Sequence, residues 1–283
     1  MDPFNIGFLH PGEMGISLAV SAQQSGQKVF WVSEGRSQQT LERAEKYKLI
    51  DALTLANLCD ECDVIVSICP PHAAEEIAHK VAASAFQGLY LDANAISPQR
   101  AIRISGFFSS PQVSFVDGSL IGGPAWGPES TYLYLSGDAA GQIAECFTAG
   151  ALETQILEGG IGKASALKMC FAAYTKGSSA LLSAILAAAE MLGVREDLEK
   201  EWTRSDSEVA EKTKIRVRRV TKKAWRFAGE MDEIADTFNE VGLPDGFHRA
   251  AGEVYRRTAH FKDAAELPEL HQILSSLVKI SNK

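Results

Sequence analysis

The first half of the chain alternates short apolar runs with stretches of helical length, and this alternation restricts the fold more than any other feature. The runs are rich in β-branched and aromatic residues, and most are apolar throughout, as is typical of strands covered on both faces of a parallel sheet. A helix is predicted over residues 14–24, with Gly26 at its C-terminal cap. The predicted strands are residues 4–10, 28–33, 64–69, 88–93 and 113–117, with 131–136 and 152–157 at the far edge.

The second half has a different character. Residues 163–192 contain no proline, a single glycine and many alanines and leucines, which predicts one long helix. Further helical stretches follow, and no run resembles a strand. The fold class predicted is therefore α/β plus all-α: a Rossmann-type doubly wound sheet in residues 1–158, followed by a helical C-terminal domain in residues 159–283.

Composition excludes several classes of function. The 283 residues carry a net charge of −8, which offers no basic surface for nucleic acid. Residues 1–10 lack the features of a signal peptide, and the apolar stretch 181–192 is short for a membrane span and contains Glu190. The odd number of cysteines, five, favours reduced thiols. We therefore expect a cytoplasmic protein with no membrane or nucleic-acid partner.

No metal site is predicted. Cys59 and Cys62 form a CxxC motif, but the chain has no second pair at ligand spacing.

The segment IGFLHPGEMG, residues 6–15, lies where the first predicted strand passes into the first predicted helix. Backbone N–H groups at such a turn bind pyrophosphate, and glycines allow its close approach. Gly12 and Gly15 fit the spacing G-x-G-x-x-G, whereas its first position is His10. A structural turn without a ligand is the alternative. The predicted cofactor-binding residues of this turn are His10, Pro11, Gly12, Glu13 and Met14.

The end of the second predicted strand bears on the choice of cofactor. Glu34 would accept hydrogen bonds from an unmodified ribose, whereas Arg36 would bind a 2′-phosphate. Arg36 followed by Ser37 favours NADP, with NAD as the less favoured cofactor. The alternative is that Arg36 is a solvated loop residue.

Several motifs occur in the order known from one superfamily. They are HPGEMG (10–15), ICPPH (68–72), DANAISP (92–98), DGSLIGG (117–123) and GKASALKMCFAAYTKG (162–177). They resemble the β-hydroxyacid dehydrogenase and 6-phosphogluconate dehydrogenase superfamily, and residues 229–257 resemble the C-terminal domain of a phosphogluconate-dehydrogenase-like branch. The resemblance implies an NAD(P)-dependent oxidoreductase, with Cys69 and Pro70 beside the cofactor. Asn94, just past a strand end, is a further cofactor residue, or a structural loop asparagine.

By its position in the resemblance, Lys168 corresponds to the lysine that gives acid/base help to hydride transfer. Its neighbours are apolar, and burial lowers the pKa of an amine and makes it a usable base. The departures are Ile121, Phe171 and Ala172, which stand where the superfamily has substrate-gripping polar residues. They argue against a simple β-hydroxyacid as the substrate. They also leave open a non-catalytic NADP-binding redox sensor, with an imine reductase as a further alternative.

Other residues are weaker candidates for binding a small-molecule substrate. Thr175 and Lys176 follow Lys168 at helical spacing, and Lys176 could supply a second positive charge. A basic stripe through Lys212, Arg216 and Arg226 is expected to face solvent. The resemblance also implies a homodimer formed through the helical domain. The weaker substrate candidates are Gly122, Gly123, Thr175, Lys176 and His248.

Overall fold

The computed structural model describes residues 3–278, and its first half is built on one eight-stranded sheet. The strand order is β3-β2-β1-β4-β5-β6-β7-β8, and all neighbours are parallel except β6 and β7. The strands are β1 Asn5–Phe8, β2 Lys28–Trp31, β3 Ile50–Asp51, β4 Val64–Ser67, β5 Gly88–Asp92, β6 Val113–Gly122, β7 Thr131–Ser136 and β8 Leu152–Ile156.

Helices cover both faces of this sheet. One apolar core joins one face of the sheet to α1, α2 and α6, and a second core joins the other face to α3, α4 and α5. These helices are α1 Glu13–Gln24, α2 Gln38–Lys46, α3 Leu55–Glu61, α4 Ala74–Ala82, α5 Pro98–Ser105 and α6 Ala140–Glu145. Apolar side chains from both faces of the strands are thus buried, which explains the nearly continuous apolar runs. The doubly wound architecture predicted from the sequence is confirmed.

The strand boundaries differ from the prediction in an informative way. The predicted strands 4–10, 28–33 and 64–69 extend past the observed ends into the loops at the carboxyl edge of the sheet. Strand β6, in contrast, continues five residues beyond the predicted end at Asp117 and pairs antiparallel with β7. The two-residue strand β3 was not predicted, because both of its residues are exposed and follow no pattern.

The second half is helical throughout its described part, residues 170–278. The helices are α7 Lys163–Ala172, α8 Ser178–Met191, α9 Arg195–Ser205, α10 Val209–Val220, α11 Ala224–Glu240, α12 Gly246–Thr258 and α13 Leu270–Leu277. One buried core here combines Leu186 of α8, Val217 of α10 and Ile273 of α13. The chain divides into two compact units, Met1–Met169 and Cys170–Lys283. This division falls later than residue 158, because the first turns of α7 bond to β6.

The predicted long helix is interrupted in its hydrogen bonding. Helices α7 and α8 are joined by a π-helical segment, Ala173–Gly177. The continuous stretch Lys163–Met191 has 29 residues and is, by length and composition alone, long enough to cross a membrane. It is longer than the apolar stretch 181–192 from which no membrane span was expected. A core helix of a soluble protein passes the same test, so the absence of a membrane partner remains a prediction.

Candidate functional site

The sheet reverses its winding between β1 and β4, and the loops that follow these strands leave from the same edge. In open α/β sheets, ligands bind at such a switch point. The glycine turn lies here, between β1 and α1. Gly12 is the N-terminal cap of α1, and in the described chain no side chain caps this helix. The N–H groups of its first turn are therefore suited to bind an anion.

The two glycines of this turn meet different surroundings. A Cβ on Gly15 would collide with the carbonyl oxygen of His10, so this position needs glycine for the turn itself. A Cβ on Gly12 would meet no described atom within 4 Å. The surface of Gly12 is therefore open to a ligand. This open surface beside an uncapped helix N-terminus fits a dinucleotide pyrophosphate.

His10 replaces the first glycine of the usual motif and is largely buried. Its Nδ1 atom is inaccessible and has no hydrogen-bond partner among the described residues. Burial, with a smaller contribution from the nearby Arg36, lowers the pKa of His10 to about 4. The imidazole is therefore neutral at pH 7.

Arg36 and Ser37 follow β2 at the same edge of the sheet. The Nε atom of Arg36 donates to the carbonyl oxygen of Val32 at 3.4 Å, and burial lowers the pKa of its guanidinium. Arg36 also influences the pKa of both His10 and Cys69, so the loops after β1, β2 and β4 bring these side chains near one another. Arg36 is therefore partly buried, which disfavours the alternative of a solvated loop residue, and its contact with a 2′-phosphate remains a prediction. Ser37 begins α2, with its hydroxyl 3.1 Å from that of Thr40.

Asn94 ties the ends of two strands together. Its Oδ1 accepts from the backbone N–H of Cys69 at 2.6 Å, and its Nδ2 donates to the Ser67 hydroxyl at 3.1 Å. The side chain is 2% exposed. These contacts give Asn94 a structural function at the cofactor edge, and any contact with a cofactor remains a prediction. Burial, with a contribution from Asp92, raises the pKa of the Cys69 thiol to about 12.

Lys168 lies on α7, and its amine is held against β6. The Nζ atom donates to the carbonyl oxygen of Leu120 at 2.5 Å. The side chain is half-buried, as the catalytic hypothesis requires. Leu120 lies three residues before Gly123, at the end of the strand that the resemblance assigns to the substrate side.

Gly122 and Gly123 differ in the space available for a side chain, as Gly15 and Gly12 do. Gly122 has φ +127°, and a Cβ there would collide with the carbonyl oxygen of Ser130. This glycine is therefore required by the hairpin between β6 and β7. A Cβ on Gly123 would meet no described atom within 4 Å, so only Gly123 offers open backbone to a substrate.

Three predicted substrate residues lie in the second unit. Lys176 forms an ion pair of 2.6 Å with Glu230, which neutralises the free positive charge expected from the sequence. The hydroxyl of Thr175 donates to the carbonyl oxygen of Phe171 in its own helix. His248 is buried between the rings of Phe238 and Phe247, and its Nδ1 has no partner among the described residues. Substrate contacts for all three remain predictions.

The basic stripe is not uniformly solvated. Arg216 is half-buried and donates to the hydroxyls of Ser179 and Ser178 and to the carbonyl oxygen of Thr175, at 2.6–2.7 Å. The expectation of a solvent-facing stripe is therefore wrong for Arg216. The acceptors come from the π-helical segment, through the Thr175 carbonyl, and from the start of α8, through the two serine hydroxyls.

The cysteines do not form a reactive site. All five are free thiols, and burial raises the pKa of Cys62 to about 12, the opposite of an activated thiol. Residues 3–278 contain no group of three or more His, Cys, Asp or Glu side chains that could hold a metal ion.

The sequence interpretation missed the residues that fix α7. Asp117 and Ser165 lie within the quoted motifs, but no function was predicted for either. Both are buried, and they are hydrogen-bonded to each other. A lone aspartate in an apolar strand, and a serine in the first turn of a helix, were the available signals.

A doubly wound sheet with a glycine turn before its first helix, followed by a helical unit, is the architecture of a Rossmann-type dinucleotide-binding domain with a helical second domain. Residues 5–95 match the family model described as NADP oxidoreductase, coenzyme F420-dependent, and residues 189–258 match a domain of unknown function, DUF1932.

Two relatives share about a quarter of their residues with this chain. An uncharacterized 28.5 kDa protein of Methanothermus fervidus is 26% identical over 193 residues, which are 68% of this chain and 74% of that protein. The conserved protein MTH1747, of unknown function and described as similar in structure to 3-hydroxyacid dehydrogenases, is 27% identical. It has a TM-score of 0.66 over 90% of this chain and 99% of its own.

More distant structures share the fold. The 3-hydroxyisobutyrate dehydrogenase of Mycobacterium tuberculosis is 17% identical, with a TM-score of 0.70 over 98% of this chain and all of that one. A reductive aminase of Aspergillus terreus, solved with NADPH, is 13% identical, with a TM-score of 0.55 over 98% and 100% of the two chains. The predicted fold class and the superfamily resemblance are confirmed. The matches support an NAD(P)-dependent oxidoreductase.

Proposed function

We propose that this protein is an NAD(P)-dependent dehydrogenase or reductase that acts on a small hydroxyl or carbonyl compound, with Lys168 as the general acid/base. The observation that carries the proposal is the position of the Lys168 amine, held at the carbonyl oxygen of Leu120. The glycine turn and the uncapped N-terminus of α1, in the same unit, support the proposal because they are suited to bind a dinucleotide. The bound nicotinamide would supply or accept the hydride.

Lys168 would move the proton that accompanies this transfer. An alcohol carbon loses hydride readily only when its hydroxyl proton leaves, and in reverse the carbonyl oxygen must gain one. The Leu120 carbonyl is an acceptor that orients the amine. A half-buried amine so oriented is suited to exchange a proton with a substrate oxygen at Nζ.

The cofactor contacts proposed are those of the glycine turn and of the loops beside it. Gly12 and the first turn of α1 would hold the pyrophosphate, and His10 would contact it through the ring. Arg36 and Ser37 would hold a 2′-phosphate, which favours NADP over NAD. Arg36→Ala is expected to weaken NADP binding about tenfold or more and NAD binding little, measured by fluorescence titration of the reduced cofactors. Equal losses for both cofactors would contradict the phosphate contact.

The catalytic assignment is tested with Lys168→Ala and the control Lys163→Ala, an exposed lysine on the same helix. A panel of small hydroxy and carbonyl compounds is screened by NADPH absorbance. Lys168→Ala is expected to lower turnover about 10²- to 10⁴-fold, the usual contribution of acid/base catalysis, with NADPH affinity unchanged. Lys163→Ala should behave like the wild type. Turnover that survives Lys168→Ala would refute the role.

The screen also separates the alternative functions. If NADPH binds and no compound of the panel is turned over, the protein fits a non-catalytic redox sensor. Cyclic imines are included in the panel because an imine reductase shares the fold. Turnover of imines that is independent of Lys168 would favour that activity.

Three further proposals concern the substrate and the assembly. Gly123, Thr175, Lys176 and His248 are the proposed substrate-side residues. A homodimer through the helical unit is supported by its exposed large apolar side chains, among them Tyr174 and Leu192. A cytoplasmic location completes the proposal.

A further inference from the structure

A buried carboxylate on β6 binds the beginning of α7. Asp117 is almost fully buried, and both of its carboxylate oxygens accept hydrogen bonds. Oδ2 accepts from the backbone N–H groups of Gly162 and Ser165, at 2.9 and 3.0 Å, and from the hydroxyl of Ser136 at 3.0 Å. Oδ1 accepts from the hydroxyl of Ser165 at 2.6 Å.

This arrangement is an N-terminal cap supplied from outside the helix. The first N–H groups of any helix lack partners within the helix, and a negative charge near them is favourable. Ser136 extends the cap, because its hydroxyl accepts from the backbone N–H of Ala164 at 3.1 Å. The cap therefore fixes the first turn of α7 to two adjacent strands, β6 and β7.

Strand β6 also binds the Lys168 amine of α7. Lys168 follows Ser165 by three residues, so the two side chains lie on one face of the helix. Leu120, whose carbonyl accepts from the Lys168 Nζ, follows Asp117 by three residues on β6. Strand and helix are thus joined at two points, one at the helix start and one at the amine. Two points set both the rotation of α7 and its position along the strand.

We propose that Asp117 is a positioning residue, which acts through Ser165 and the first turn of α7 to place the Lys168 amine at the Leu120 carbonyl. The functional meaning of this placement rests on the proposed acid/base role of Lys168. The placement itself is a physical claim about the amine and is tested without any substrate.

The test measures the reactivity of individual amines. The whole protein is labelled with a trace of acetic anhydride across a pH series, and the acetylation of Lys168 relative to Lys163 is measured by mass spectrometry. Lys163 lies on the same helix and is exposed, so it serves as the internal reference. Asp117→Asn is compared with Asp138→Asn, a matched change at an exposed aspartate.

Asp117→Asn is expected to raise the Lys168-to-Lys163 ratio about fivefold, the equivalent of one lost hydrogen bond, and to shift the pH profile of Lys168 but not that of Lys163. Asp138→Asn should leave both unchanged. A purely structural role would lower the melting temperature while the ratio and the profile stayed as in the wild type, and that result would overturn the proposal.

Ser165 provides a second route if Asp117→Asn does not fold. Ser165→Ala removes the hydroxyl donor to Asp117 and retains the backbone bond. It should raise the ratio by a smaller factor, and Ser165→Thr, which restores a hydroxyl, should bring it back. A ratio unaffected by Ser165→Ala would also overturn the proposal. Labelling needs no turnover, so the two proposals can fail separately. If turnover survives Lys168→Ala, the acid/base role is refuted while the placement of the amine stands. If the labelling ratio does not change, the placement by Asp117 is refuted while the acid/base role stands.

Discussion

Gly12 and Gly15 stand three residues apart in one turn, and their surroundings assign them different functions. Gly15 is glycine because of the His10 carbonyl, which belongs to the protein itself. Gly12 has an ordinary backbone conformation, with φ −68°, and faces open space. The fold therefore does not require glycine there, and close approach of the proposed cofactor would give the reason for it.

Alanine at each position separates these functions. Gly15→Ala should lower the melting temperature by several degrees, because the added Cβ meets a backbone atom that cannot turn away. Gly12→Ala should leave the free energy of unfolding equal or raise it by up to about 1 kcal/mol, since the unfolded chain loses entropy. The same change should weaken NADPH binding at least about tenfold. A Gly12→Ala protein that melts early, or that binds NADPH as tightly as the wild type, would contradict this division.

Asp92, at the end of β5, is a buried carboxyl with one unpartnered oxygen. Its Oδ1 accepts from the backbone N–H of Asn94, and its Oδ2 has no partner among the described residues. Burial raises the pKa of Asp92 from 3.8 to about 7, and Asp117 adds to the rise. The native protein thus holds a proton that the unfolded chain releases near pH 4. Stability should fall as the pH rises from about 4 to about 7 and change little above that range.

Asp92→Asn should remove this pH dependence. The variant is expected to gain stability relative to the wild type at pH 8, by at most about 4 kcal/mol, and to gain nothing at pH 4. Urea unfolding at both pH values measures the difference, with the exposed Asp60→Asn as control. An equal effect of Asp92→Asn at the two pH values would show that the carboxyl does not titrate in this range.

At the scale of the element, the π-helical segment organises the second unit. Its altered register leaves carbonyl oxygens for partners outside the helix. Arg216 donates to the carbonyl of Thr175, and the Tyr255 hydroxyl donates to that of Lys176, both at 2.7 Å. The Lys176 side chain continues inward to Glu230, and these two side chains are only 12% and 6% exposed. The polar groups of the distorted segment therefore have partners in neighbouring helices, and without these partners their burial would be unfavourable.

Breaking the Lys176–Glu230 pair should be expensive. Lys176→Met is expected to lower the free energy of unfolding by about 1.5–3 kcal/mol, because the buried Glu230 loses its 2.6 Å partner while it keeps the longer ion pair with Arg226, at 3.4 Å. The double variant Lys176→Met, Glu230→Leu should recover much of the loss. Lys200→Met, at an exposed ion pair with Asp197, is the control and should change stability by less than about 1 kcal/mol. A double variant as unstable as the single one would show that the ion pair is not the cause.

The elements show what the sequence could and could not reveal. The apolar runs identified the buried strands, and the glycine turn identified the cofactor edge, because both follow from local patterns. The predicted end of strand β6 was too early because its continuation contains Gly118 and Gly122, and glycines are typical of loops. The π-helical segment has no sequence signature, so helical spacing of 3.6 residues was carried through it. Arg216 was predicted to face solvent because it belongs to the basic stripe of its own helix, and only the three-dimensional structure shows its acceptors.

At the scale of the whole molecule, apolar exposure is uneven. Most of the large apolar side chains exposed in residues 3–278 belong to the second unit, although it is the shorter one. Tyr174 is 74% and Leu192 75% exposed. Such surfaces in a soluble oligomer face another subunit.

The proposed homodimer gives a direct expectation for mass. Sedimentation equilibrium at micromolar concentration should return about twice the chain mass of 30.6 kDa. Tyr174→Lys or Leu192→Lys should shift the protein towards the monomer, because each places a charge in an apolar contact. Leu53→Lys, at an exposed position of the first unit, should not. A wild-type protein that sediments as a monomer would rule the dimer out.

The helical stretch from Lys163 to Met191, which includes the π-helical segment, crosses the division between the two compact units at residue 169. The division between the units therefore falls within a helix and not within a loop. A fragment that stops before this helix loses Lys168, and one cut at the division ends in the middle of a helical turn. Chimeras with related enzymes should accordingly exchange the helix whole, together with β6, the strand to which its first turn is bonded.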